Sequence, residues 1–156
     1  MDNIIVREAT PGDLDALLAC EQGIVTSERP FDNTLKEGEI HYYDLGAMIA
    51  ADHIGVFVAE VNGEIVGSGY ARIENGKPYQ KHTLYAYLGC MYVKPEYRGK
   101  GINSRVVAAL KDWCRGKEIS ELRLEVYTDN LPAIKAYEKA GFGQLLTWMR
   151  MNLDEE

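Results

Sequence analysis

The stretch Met91-Tyr92-Val93-Lys94-Pro95-Glu96-Tyr97-Arg98-Gly99-Lys100-Gly101-Ile102-Asn103-Ser104 carries residue types and spacing able to hold an anion. An apolar run delivers the chain into a glycine-bearing turn, and the turn opens directly into a helical pattern. Such a junction leaves several backbone N–H groups free at the positive end of the helix dipole. Gly99 and Gly101 remove side chains that would keep a phosphate from the backbone, while Arg98 and Lys100 add countercharge. The bland alternative is a basic loop that only joins a strand to a helix. Neither a Walker loop nor a full Gly-x-Gly-x-x-Gly dinucleotide fingerprint occurs.

A second stretch, Asn130-Leu131-Pro132-Ala133-Ile134-Lys135-Ala136-Tyr137-Glu138-Lys139-Ala140-Gly141-Phe142, reads as a capped helix ended by glycine. With both stretches in view, the chain resembles the GNAT superfamily of acetyl-coenzyme A-dependent N-acetyltransferases. Arg98-Gly99-Lys100-Gly101-Ile102-Asn103 lines up with that superfamily's Arg/Gln-x-x-Gly-x-Gly/Ala pattern, and the second stretch is similar to its second motif. Asn103 departs from the usual small last residue, and its side chain would crowd the pyrophosphate or add a bond to it. The resemblance is specific over residues 88–142 and looser over 1–74.

It implies direct transfer of acetyl from acetyl-CoA to a primary amine of a small molecule or protein, with no metal required. Arg98, Gly99, Lys100, Gly101, Ile102, Asn103 and Ser104 would cradle the pyrophosphate. Met91 and Val93 would meet the pantetheine arm through main-chain groups, and the amide of Met91 or Tyr92 would polarise the thioester carbonyl. Tyr137 takes the position of the acid that protonates the departing thiolate, and an ordinary tyrosine pKa near 10 suits a thiol near 8.5. Its bland alternative is a core aromatic. Asn130 would serve as helix cap and cofactor contact together. A non-catalytic acyl-CoA-binding regulatory module is the rival reading, motivated by Asn103 and by Leu88-Gly89-Cys90, where several members place an acid. Glu28, Tyr43, Glu60, His82 and Glu125 stand as candidate bases beside a water relay. Residues 26–51 and 75–83 are expected to build the acceptor pocket, with Tyr42, Tyr43 and His82 as lining candidates.

The elements that must position these groups follow from periodicity. Ile4 and Val6 start a strand, and Thr10-Pro11-Gly12-Asp13 opens a helix as a capping box with proline at its first position. Residues 26–34 read as loop and 35–51 as helical. Two β-rich runs, 56–61 and 65–73, flank Asn62-Gly63 and form a hairpin. A strand over 84–93 stops at Pro95, and Val106, Val107, Leu110, Trp113 and Cys114 define one helical face closed by Gly116. A strand over 122–127, parallel to 84–93 by a right-handed crossover, the helix from Asn130 and one or two strands over 142–153 complete the chain. The expectation is an α/β fold with a mixed, mainly antiparallel sheet, helices on both faces and one splayed parallel pair.

The 156 residues fit a single domain over 1–156, and 46% hydrophobic with 26% charged residues is an ordinary globular balance. Apolar runs are too short to span a membrane, and the first twenty residues lack the pattern of an export signal, which makes cytoplasm the expected compartment. Cys20, Cys90 and Cys114 lack metal or redox spacing and read as reduced, buried thiols. A net charge of −7 opposes a nucleic-acid partner and favours a cationic acceptor. A homodimer is compatible with this reading.

Overall fold

A computed structural model describes residues 3–155. They fall into two compact units, Met1–Glu125 and Val126–Glu156.

The first unit is built on a five-stranded sheet in the order β1-β2-β3-β4-β5. β1 (Ile4–Glu8), β2 (Ile54–Val61), β3 (Glu64–Asn75) and β4 (Leu84–Val93) pair antiparallel in sequence order. Asn62 and Gly63 both take positive φ, the backbone a two-residue hairpin turn demands. β5 (Leu122–Arg123) runs parallel to β4 and meets it only at Ala86↔Leu122 and Tyr87↔Arg123. The expected strand over 122–127 is therefore shortened to two residues.

Helices cover both faces. Thr10 opens the first, its N–H donating to Asp13 Oδ2 at 2.7 Å, and a 3-10 turn (Pro11–Asp13) leads into α1 (Leu14–Glu28). α2 (Leu45–Ala50) is capped by Asp44, which accepts from the Ala47 amide. Leu17, Ile24, Leu45 and Met48 of these helices pack with Val56, Val58, Tyr70 and Cys90 of the sheet. α3 (Ile102–Gly116) lies on the opposite face, where a Cβ at Gly55 would strike Trp113 and one at Gly69 would strike Val106. Alternation along β2 and β3 separates the two sets, since neighbouring residues point to opposite sides.

The helix expected over 35–51 is confined to Leu45–Ala50. Glu21, fully buried on α1, accepts from the amides of Tyr42 (2.8 Å) and Tyr43 (2.9 Å) and faces His41 Nδ1 at 2.9 Å. Those amides serve the carboxylate, and the segment before Asp44 stays outside any helix.

The second unit carries α4 (Leu131–Lys139), whose cap Asn130 accepts from the Ala133 amide at 3.4 Å. Strands expected over 142–153 do not form among the described residues, which hold a 3-10 turn at Leu153–Glu155. A strand exists only through a paired neighbour, so an alternating pattern without one stays irregular. Leu145, Leu146, Trp148, Met149 and Met151 are largely exposed.

Candidate active site

Among the described residues β4 pairs with β5 only as far as Tyr87, so the second half of β4 has no ladder partner from β5 on that side. Lys94 N–H donates to Val66 O at 2.8 Å, which places the hydrogen-bonding groups of residue 94 toward β3. By the alternation of an antiparallel ladder, the main-chain groups of Val93 and Met91 face the other way. Val93 O accordingly accepts from Arg98 Nε at 3.0 Å.

A bulge breaks β4 where its register shifts between Ser68 and Tyr70. Cys90 takes φ 51, its carbonyl accepts from Ser68 Oγ at 2.7 Å, and its N–H donates to Tyr43 Oη at 3.3 Å. Bulges re-aim backbone groups and leave them unpaired in the ladder. Two glycines make the packing around the bulge feasible. A Cβ at Gly89 would lie 2.3 Å from Tyr70 Oη, and one at Gly23 of α1 would lie 2.3 Å from the Tyr92 ring.

The turn after β4 has the geometry its sequence implies. Gly99 and Gly101 adopt φ 79 and φ 80, with open space where a Cβ would stand. Gly101 is the N-cap of α3 and offers no side chain to its first amides. Ile102 is buried at 1% exposure, so only its main chain is available to a ligand. Asn103 is half-buried, whereas Lys100 and Ser104 are exposed. Arg98 braces the turn, its guanidinium 5.7 Å from the Tyr92 ring centre, and Lys100 Nζ stands 5.3 Å from that of Tyr97.

Of the other expected site residues, Asn130 caps α4 in the second unit. In that unit Tyr137 is half-buried, its ring edge-on to Phe142 at 5.9 Å.

A cavity of about 450 Å³ opens beside the upper strands in the first unit. Tyr42, Tyr43, Tyr70, Tyr85 and Tyr87 wall it, and Arg72, Glu74 and Glu125 bring charge to it. Tyr42 and Tyr43 come from the segment expected to form an acceptor pocket. Residues 75–83 do not line it, and His82 instead lies 2.9 Å from Arg123 Nη2. Sequence reasoning missed Tyr70, Arg72, Glu74, Tyr85 and Tyr87. Their signal was the alternation Tyr70-x-Arg72-x-Glu74 facing Tyr85-x-Tyr87 on paired strands.

Electrostatics sort the candidate bases. Glu60 is committed to Arg7 at 2.6 Å. Burial pushes the Tyr43 phenol well above its ordinary range, and carries Tyr70 and Tyr87 up to about 12. These hydroxyls keep their protons at neutral pH. Burial also raises the Glu28 carboxyl, against the opposing bond from Tyr42. Both Glu125 and Glu28 raise Tyr87 further, so two carboxylates act on that wall of the cavity. Cys90 is pushed up to about 12 by burial, the state of an unreactive thiol.

A thialysine N-epsilon-acetyltransferase of Bos taurus is 42% identical over 143 residues, covering 88% of this chain and 83% of that protein. The structure of a predicted acetyltransferase from Clostridium acetobutylicum with acetyl-CoA superposes with a TM-score of 0.70 at 21% identity over 99% of both chains. That of a glucosamine-6-phosphate N-acetyltransferase from Arabidopsis thaliana gives 0.71 at 18% identity over 97% of this chain and 99% of the other. The family model described as "Acetyltransferase (GNAT) family" matches residues 21–142, and the chain belongs to that family.

Proposed function

We propose that this chain is an acetyl-CoA-dependent N-acetyltransferase that passes acetyl directly to a primary amine of a small molecule or protein. The observation that carries the reading is the junction of β4 and α3. Its two glycines hold positive φ with open space at Cβ, and they lie beside a strand edge that β5 leaves uncovered. Residues 98–104 then hold the pyrophosphate through main-chain amides, while the edge at Met91 and Val93 receives the pantetheine arm. Bound acetyl-CoA supplies the activated acetyl group. Of the two candidate amides, that of Met91 lies on the edge facing away from β3 and serves the thioester oxygen, where negative charge grows as the amine attacks. Glu125, which lines the cavity, and Glu28, whose charge acts on Tyr87 in its wall, are the carboxylates that take the proton of an incoming ammonium, directly or through water. Tyr137 returns a proton to the leaving sulfur.

One working domain over 1–156 belongs to this reading, supported by a family match that runs across the division at Glu125. So does a cytoplasmic site of action, supported by three buried free thiols. A homodimer is the proposed assembly, since the exposed apolar run over 145–151 is the kind of surface a second copy covers. Light scattering at twice the monomer mass supports it, and a monomer at assay concentration rejects it.

The test is an amine library assayed for coenzyme A release, with product mass measured for each hit. A mass gain of one acetyl on an amine supports the reading. Tight acetyl-CoA binding without release on any amine would instead favour a non-catalytic acyl-CoA-binding module.

A further inference from the structure

Resting on the N-acetyltransferase reading, we infer that Ser68 is a positioning residue for acetyl transfer, its buried hydroxyl aiming the Met91 amide at the thioester oxygen by gripping the Cys90 carbonyl. That carbonyl and the Met91 N–H belong to one peptide unit, which is planar and trans, so the two point opposite ways. From β3, Ser68 Oγ donates to the Cys90 carbonyl at 2.7 Å. The Met91 N–H is thereby turned away from β3, toward the side on which the second half of β4 has no ladder partner from β5.

The bulge explains why a side chain is needed at this point. Cys90 takes φ 51, and neither it nor Met91 has a paired residue in the β3–β4 register, so the ladder does not fix the plane between them. On the preceding plane the Cys90 N–H donates to Tyr43 Oη at 3.3 Å, and side chains thus hold both flanks of the strained residue. Ser68 is fully buried, and a buried hydroxyl must place its proton. Its other neighbours are thiols, Cys90 Sγ at 3.6 Å and that of Cys20, both weak partners. The carbonyl is the strong acceptor among the three. The bond also acts on the chemistry, because an amide whose carbonyl accepts a hydrogen bond is polarised into a stronger N–H donor. The chain from Ser68 O–H through the Cys90 carbonyl to the Met91 N–H therefore ends on the oxygen where negative charge grows.

The experiment records the carbonyl stretch of acetyl-CoA, isotope-labelled at the thioester carbonyl, bound to wild type, Ser68→Ala, Ser68→Cys and Ser68→Thr. Single-turnover transfer to the library amine with the fastest coenzyme A release is measured on the same proteins, and calorimetry gives acetyl-CoA affinity. Wild type should shift the stretch below its frequency in water. Ser68→Ala should lose at least half of that shift and transfer acetyl about 10- to 100-fold more slowly, the cost of a misplaced reacting group, with acetyl-CoA Kd within about threefold. Ser68→Cys, of similar volume but a weak donor, should show the same losses and serves in its place where Ser68→Ala fails to fold. Ser68→Thr keeps the hydroxyl and should regain most of both. An undiminished shift in Ser68→Ala or Ser68→Cys overturns the inference whatever the transfer rate, since a merely structural Ser68 would slow transfer without moving the stretch. A shift lost only alongside tenfold weaker acetyl-CoA binding marks a displaced cofactor and overturns it as well. No shift in a wild type that acetylates an amine overturns it and leaves the N-acetyltransferase reading standing. Binding of acetyl-CoA with no transfer to any amine rejects both.

Discussion

Tyr137 occupies α4 with one face engaged by Phe142, so removal of its hydroxyl leaves the ring packing in place. Single-turnover transfer by Tyr137→Phe should slow by about 10² to 10⁴, the usual worth of a positioned general acid, while acetyl-CoA affinity changes little. Equal transfer rates would make Tyr137 a packing residue. Glu28 invites a second substitution, because burial already moves its carboxyl toward the pKa that proton uptake near neutrality needs. If Glu28 takes the acceptor's proton, Glu28→Gln lowers kcat by 10² or more and removes the acidic limb of the pH profile. A profile identical to wild type would reassign the step to Glu125 or water. The positive-φ glycines of the turn were legible because a local motif states them. Tyr42 and Tyr43 of the cavity wall were legible too, but its strand-borne side was not, because Tyr70, Arg72 and Tyr87 become neighbours only through the register of two strands.

α3 was readable from its apolar stripe, whereas the region before α2 misled because a distant side chain decides it. Glu21 binds two amides about twenty residues away and so fixes Tyr42 and Tyr43 in the cavity wall. Removing it in Glu21→Ala leaves those donors without their acceptor, at a cost of about 1–3 kcal/mol. Urea unfolding should show that loss, and the acceptor KM should rise more than the acetyl-CoA Kd. The β4–α3 turn makes the complementary prediction. Gly101 holds φ 80, a conformation that costs a β-branched residue about 1–2 kcal/mol or more. Gly101→Val should therefore bind acetyl-CoA at least tenfold more weakly through the misplaced first turn. Unchanged affinity in the folded variant would move the phosphate site elsewhere.

At the scale of the molecule, charge couples the elements that hydrophobic burial brings together. A net charge of −7 draws cations toward the surface, and among the described residues a few carboxylates are tied into the frame. Arg7 on β1 joins Asp13 at the entry to α1 (2.7 and 2.9 Å) and Glu60 on β2 (2.6 Å). Sequence spacing did not announce this cluster, since its members lie on three elements. The Arg7 hydrogen bonds hold the buried Asp13 carboxyl down at about 2, below an unfolded value near 3.9. A folded pKa below the unfolded one means stability that is present above about pH 4 and lost as pH falls toward 2. The difference corresponds to about 2 kcal/mol. His41 has the opposite sign. Its bond to Glu21 raises its pKa, so its small contribution is present below about 6.5 and fades as pH rises through the folded value. Urea midpoints measured from pH 2 to 8 should therefore fall steeply at the acid end and gently at the alkaline end. Asp13→Asn should already be less stable at pH 6 and should lose about 2 kcal/mol less than wild type between pH 5 and pH 2. Parallel acid limbs for the two proteins would show that Asp13 titrates in the folded chain as it does in the unfolded one.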